Sequence, residues 1–148
     1  MSVSSERPIV ELQRWFDSPV GQYVHLWEQR RIDEMLVDVF GYRAVQYGLA
    51  DFNLLAANRM PFKAYAGPNK LSQPQRVGWQ ASVVCRAEEL PFDSDSVDLL
   101  VLPHTLETAE DQHLVLREAH RVLMPEGRLV VAGFNPWSLW GLRARMPW

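Results

Sequence analysis

The sequence predicts an α/β fold, a twisted and mostly parallel sheet of about five strands in one domain spanning residues 1–148. Three observations carry this. Val97 to Leu102 (VDLLVL) and Leu129 to Phe134 (LVVAGF) are nearly continuous apolar runs, as expected of strands covered on both faces. Between them, Ala109 to Leu123 places Leu114, Val115, Ala119, Val122 and Leu123 on one side of a helix. Pro125-Glu126-Gly127 then reads as a tight turn into the second strand. Strands that alternate with helices imply parallel pairing through right-handed crossovers.

The remaining elements follow in order. Ile9 to Phe16 reads as a short helix. Ser18-Pro19 is an N-cap followed by proline at the first helical position. Val20, Tyr23, Val24, Trp27, Met35, Leu36 and Val39 recur mostly three and four apart, which predicts an amphipathic helix ended by Gly41. Its other face, with Glu28, Arg30, Arg31, Asp33 and Glu34, reads as solvated, and His25 has no evident partner. Arg43 to Gly48 is a short strand, and Asp51 caps a short helix running to Asn58. Phe62 to Ala66 is a second strand and Ala81 to Cys85 a third. Gly67 to Gln80 between them is rich in turn formers and reads as a loop.

Composition excludes several classes. Hydrophobic residues make up 47% and charged residues 22%, which is globular rather than disordered. The net charge of -3 leaves no footprint for nucleic acid, where a basic patch is expected. No apolar run approaches the roughly 20 residues of a membrane span, and the N-terminus lacks a signal-peptide layout. A lone cysteine, Cys85, excludes an internal disulfide framework and a cysteine-based zinc site. His113 and His120 lie seven apart on one helix with no partner at metal-ligand spacing, so both read as surface residues. These features together favour a bacterial-type cytosolic protein.

The run from Glu88 to Pro136 carries a family resemblance. Its LPF turn, the Ser96-Val97-Asp98 strand entry, the helix ending REAHRVL, and PEG followed by RLVV resemble the type 11 class of S-adenosylmethionine (SAM)-dependent methyltransferases. The ending GFNPWSLWGLR looks like a small proteobacterial subgroup of methyltransferase-like proteins. The resemblance implies a Rossmann-like class I fold, with SAM lying across the C-terminal ends of the first strands, as open α/β sheets generally bind ligands. It also implies an activity, methyl transfer to an acceptor the sequence does not name. A catalytically inactive relative that acts through binding or assembly is the alternative.

Laid on the family's D-x-G-x-G-x-G turn, the chain offers Gln46, Gly48, Ala50 and Phe52. Gln46 stands where a carboxylate orients the methionine end of SAM. Alanine at positive φ costs roughly 1 kcal/mol, and Phe52 adds bulk. The second strand, where the family holds both ribose hydroxyls with a carboxylate, offers only Tyr65 or Asn69. In place of the family's D-A-E before the LPF turn stand Arg86, Ala87 and Glu88. Arg86 has only donors and is left to stack on adenine or pair with Glu88. Each replacement weakens binding, and three losses of about 1–2 kcal/mol lower SAM affinity by roughly 10²-fold or more. After the fourth strand, Pro103, His104, Thr105, Leu106 and Glu107 fall beside the transferred methyl. His104 is the candidate general base, its ordinary pKa near 6.5 suiting proton removal. The competing reading is a loop histidine that caps the next helix. Asp98 reads as structural.

The family continues with two more strands, which this chain lacks, so it reads as C-terminally truncated or completed by another chain. Strand Leu129 to Phe134 is then an open edge. Trp137, Leu139, Trp140, Leu142, Met146 and Trp148 form an apolar tail. That tail either folds back, contacts a second protomer, or inserts at a membrane surface with Arg143 and Arg145. A homo-oligomer is expected through this segment or the edge.

Overall fold

The structure is a computed structural model and describes residues 11–133. Five strands form one all-parallel sheet in the order β3-β2-β1-β4-β5. They are β1 (Arg43–Tyr47), β2 (Phe62–Gly67), β3 (Ala81–Val84), β4 (Val97–Pro103) and β5 (Leu123–Ala132). Helix α1 (Pro19–Leu36) precedes the sheet. A four-residue α2 (Thr105–Thr108) and helix α3 (Gln112–Val122) join β4 to β5. Residues 11–17 are also helical.

Side chains alternate across a strand, and the two faces of the sheet bury separate cores. Val45, Leu100 and Leu102 meet Val115, Ala119 and Val122 of α3 on one face. Ala44, Leu99 and Val101 meet Ile32 and Leu36 of α1 on the other. Strands β1, β2 and β4 are therefore mostly buried on both sides, as the nearly continuous apolar run of β4 requires.

Helix α3 begins at Asp111, whose carboxylate accepts from the His113 and Leu114 N–H groups. It starts three residues later than the apolar spacing implies, because residues Thr105–Thr108 form their own turn. Near its end the Arg121 guanidinium donates to the carbonyls of Phe92 (2.9 Å) and Leu90 (2.8 Å). The Glu118 carboxylate accepts from Leu90 N–H at 2.9 Å and pairs with Arg121. The REAHR and LPF motifs are thus two halves of one clamp, which fixes the β3–β4 connection without a helix there.

Four expectations are corrected. Ser18 does cap α1 and Pro19 opens it, but the helix ends at Leu36, not Gly41. Its buried stripe is also rotated: Leu36 is buried and Arg30, Arg31 and Glu34 are exposed as expected, but Val20, Tyr23, Trp27 and Met35 are about half or more exposed, while Glu28, expected in solvent, is buried. Spacing cannot orient a helix that is apolar on several sides. No helix follows Asp51. Its carboxylate accepts from Gln75 of the next loop, and residues 54–57 are turns pinned by Asn58, which donates to the Leu36 and Val39 carbonyls. The PEG turn lies inside β5 as a bulge: Val97 pairs with Leu123, but Leu99 pairs with Arg128, and Glu126 takes φ 59°. Lastly, β5 is mostly exposed, with Leu129 38% and Val131 44% exposed, because it is the sheet edge among the described residues. Asp98 is structural as expected: it accepts from Tyr42 and Arg43 N–H at 2.9 and 3.0 Å.

Candidate functional site

The sheet order reverses between β1 and β4, and a cavity of about 180 Å³ opens at the C-terminal ends of β1, β2 and β4. Open α/β sheets place ligands at this switch point. Of the candidate residues, Gly48, Ala50, Tyr65, Asn69, Pro103 and His104 line it together, beside Tyr47, Leu49, Lys70 and Thr105. Arg86, Ala87 and Glu88 do not. Ala87 is buried in the α3-side core. Arg86 is exposed and pairs with Glu88 (3.7 Å) and Glu110 (3.4 Å), so the pairing reading of Arg86 describes it.

Gln46 is fully buried below the cavity, and its amide is engaged on every side. Its Nε2 donates to the carbonyls of Gly48 (2.8 Å), Phe52 (2.8 Å) and, longer, Leu49 (3.3 Å). Its Oε1 accepts from Leu54 N–H at 2.9 Å. Gln46 therefore shapes the turn after β1. Within that turn, positive φ falls at Gly48 (80°) and Leu49 (52°), not at Ala50, so the strain expected at the alanine sits one residue earlier. A side-chain carbon at Gly48 would meet nothing within 4 Å, leaving the turn open toward the cavity. The Phe52 ring turns away from the cavity lining and stacks on His25 with centroids 3.6 Å apart, edge-on to Phe16. His25 thus has the partner that spacing did not reveal.

Tyr65 is buried at the end of β2, with its pKa pushed up to about 12 by burial and by the charge of Asp51. Its hydroxyl lies over Gly67, where a Cβ would collide with it. Tyr47 donates its hydroxyl to the Cys85 carbonyl, and burial raises its pKa as well.

His104 is the most constrained group. It sits at the β4 terminus in the left-handed region, φ 55°, and its side chain is fully buried. It occupies the N-cap position of α2, but its ring caps nothing there. Nε2 lies 2.9 and 3.1 Å from the Glu28 carboxylate oxygens, and Nδ1 lies 3.1 and 3.2 Å from those of Glu107. The Phe16 ring meets it edge-on at 5.3 Å. Burial alone lowers the imidazole pKa, but hydrogen bonds and charge from Glu107 and Glu28 outweigh it and raise the value to about 9. Sequence reasoning missed Glu28, which lies 76 residues away on a helix face read as solvated. The carboxylates sit on opposite ring nitrogens and share no point where a metal ion would fit, and no such group occurs among the described residues.

A SAM molecule meets a partial fit here. The open backbone turn at Gly48 is in place. The cavity is smaller than the roughly 300–1,000 Å³ usual for ligand pockets. Gln46 is fully buried with both amide hydrogens committed to backbone carbonyls, and no carboxylate lines the cavity at the end of β2.

Residues 62–131 match the protein-family model described as "Methyltransferase domain". The chain is 34% identical over 133 residues to an uncharacterized Escherichia coli protein, YafS, covering 90% of this chain and 52% of that one. It is 37% identical over 87 residues to the ubiquinone/menaquinone biosynthesis C-methyltransferase UbiE of Vibrio vulnificus, covering 59% of this chain and 31% of that enzyme. The chain thus spans about half the length of the first relative and about a third of the second. Among solved structures, a SAM-dependent methyltransferase of Thermotoga maritima matches with TM-score 0.61 at 24% identity, over 86% of this chain and 59% of that one. A Haloferax volcanii complex of a methyltransferase with its activator matches with TM-score 0.65 at 22% identity, over 82% and 59%. Both share its fold. By its methyltransferase-domain match over residues 62–131 and its five-stranded parallel sheet, the chain resembles the class I SAM-dependent methyltransferases and shares their fold.

Proposed function

We propose that the chain is a SAM-dependent methyltransferase domain whose cofactor site is weakened, and whose methyl acceptor enters beside Pro103 and His104. The observation that supports it is the cavity at the switch point, bounded by the Gly48 turn, Tyr65 and the end of β4, within a chain that resembles these enzymes. The backbone of residues 48–50 and the neutral groups of Tyr65 and Asn69 would hold the cofactor, which supplies an activated methyl group when bound. Neutral hydrogen bonds contribute about 1 kcal/mol where charged ones give roughly 1.5–3, so affinity falls by about 10²-fold. Calorimetric titration with SAM and S-adenosylhomocysteine tests this. Dissociation constants above the micromolar range are expected, and micromolar binding overturns the weakened site.

The second reading, a domain that no longer binds SAM and acts through assembly, is favoured by the fully engaged Gln46 amide. Absence of heat at millimolar SAM selects it. The exposed β5 edge supports self-association under either reading. Light scattering at high micromolar concentration measures it, and a monomeric mass counts against it.

A further inference from the structure

We infer that Glu28 is a positioning residue: from helix α1 it takes Nε2 of His104 while Glu107 takes Nδ1, so that both ring nitrogens donate to carboxylates and the imidazole stands as a fixed wall of the cavity with no basic nitrogen to offer. The inference deepens the proposed function, because it assigns the state of the group nearest the acceptor.

The ring and the two acids are complementary as donors and acceptors. A neutral imidazole has one N–H and one lone pair. With a carboxylate on each nitrogen, all four oxygens between 2.9 and 3.2 Å, a lone pair on either side would face negative charge. With both acids ionised, the doubly protonated ring satisfies each of them, and charge-assisted bonds of this kind are the strong ones. The packing holds this arrangement. The His104 ring is fully buried, and Glu28 and Glu107 are 11% and 31% exposed. Phe16 closes the ring's edge from residues 11–17. Gly133 lies against Glu107, where a Cβ would come within 2.8 Å of its Oε1. The left-handed backbone at His104 places strain at this site, where the surrounding contacts over-determine it.

Two consequences follow. His104 is not the proton acceptor that its position after β4 implies. Helix α1 is fastened to the end of β4 by the same contact, so Glu28 holds the cavity's rear wall in place. An acceptor entering here either arrives with its nucleophilic lone pair already free or gives its proton to water.

Nitrogen-15 NMR of histidine-labelled full chain tests this, with H104Q assigning the resonances. Wild-type His104 is expected to carry the matched ring-nitrogen shifts of an imidazolium at pH 7.5. E28Q is expected to lower its titration midpoint by a unit or more, a tenfold loss in proton affinity. E107Q acts in the same direction from the more exposed carboxylate and gives the reading if E28Q does not fold. A neutral tautomer in wild type at pH 7.5, or an unchanged midpoint in the folded variants, overturns the inference. The readout needs no cofactor, so its failure is distinct from a failure to bind SAM.

Discussion

Replacing Gln46 by glutamate would restore the acidic residue that the family carries at the end of β1. The structure predicts that Gln46→Glu destabilises the fold and does not strengthen SAM binding. The amide nitrogen donates two 2.8 Å bonds, to Gly48 and Phe52 carbonyls, and a longer one to Leu49. A carboxylate has no donor for any of them. Two neutral hydrogen bonds at about 1 kcal/mol each are lost, and negative charge is placed against carbonyl oxygens in a fully buried position. Leu54 N–H still finds an acceptor, which limits the damage. The sum is about 2–4 kcal/mol at pH 7. The sign with pH follows from burial. The new carboxyl group is held above its unfolded pKa, so it binds its proton more readily in the folded state. The penalty therefore shrinks as pH falls toward the unfolded carboxyl value near 4.3. Urea unfolding at pH 7 and pH 5, with calorimetric SAM titration of the folded variant, measures all of this. Stability within about 0.5 kcal/mol of wild type at pH 7, or a tenfold gain in SAM affinity, would refute the reasoning.

Two further predictions concern the other constrained groups. His104 has a folded pKa of about 9 against 6.5 unfolded, so its stabilisation is complete below pH 6.5 and is lost as pH rises to about 9. Chemical denaturation across that window should lose roughly 3 kcal/mol or less in wild type, and a flat profile, or the same loss in H104Q, would remove the assignment. Glu118→Ala strips the acceptor from Leu90 N–H and the partner from Arg121. It should cost about 1–3 kcal/mol by urea midpoint, and a cost near zero would mean that the LPF turn holds itself.

The parts of the fold that were legible in the sequence are those in which one strand or helix is apolar on its own terms. Strand β4 is buried on both faces, so its run is hydrophobic apart from Asp98 and its identity needs no knowledge of neighbours. Helix α3 has a single buried stripe and an Asp111 cap, and both are local. The β1–β2 connection was not legible. Its backbone is satisfied by Gln46 of β1, and Asn58 ties it to the Leu36 and Val39 carbonyls at the end of α1; no local pattern announces such bonds.

The candidate site divides along the same line. Gly48, Ala50, Tyr65, Pro103 and His104 were placed together because strand order fixes where strand ends lie. Arg86 was drawn to the site by its motif, but Glu88 and Glu110 hold it elsewhere. Glu28 was read as solvated, since a glutamate on a helix is ordinarily in water. By itself the sequence determined a parallel sheet, its crossover and a turn that keeps one of the family's glycines and none of its carboxylates. Only the tertiary structure decided which face of α1 turns inward, and with it the partners and charge of His104. The reason is physical: hydrophobic period and turn chemistry act within a few residues, whereas a buried charge is set by whatever the fold brings against it from the far end of the chain.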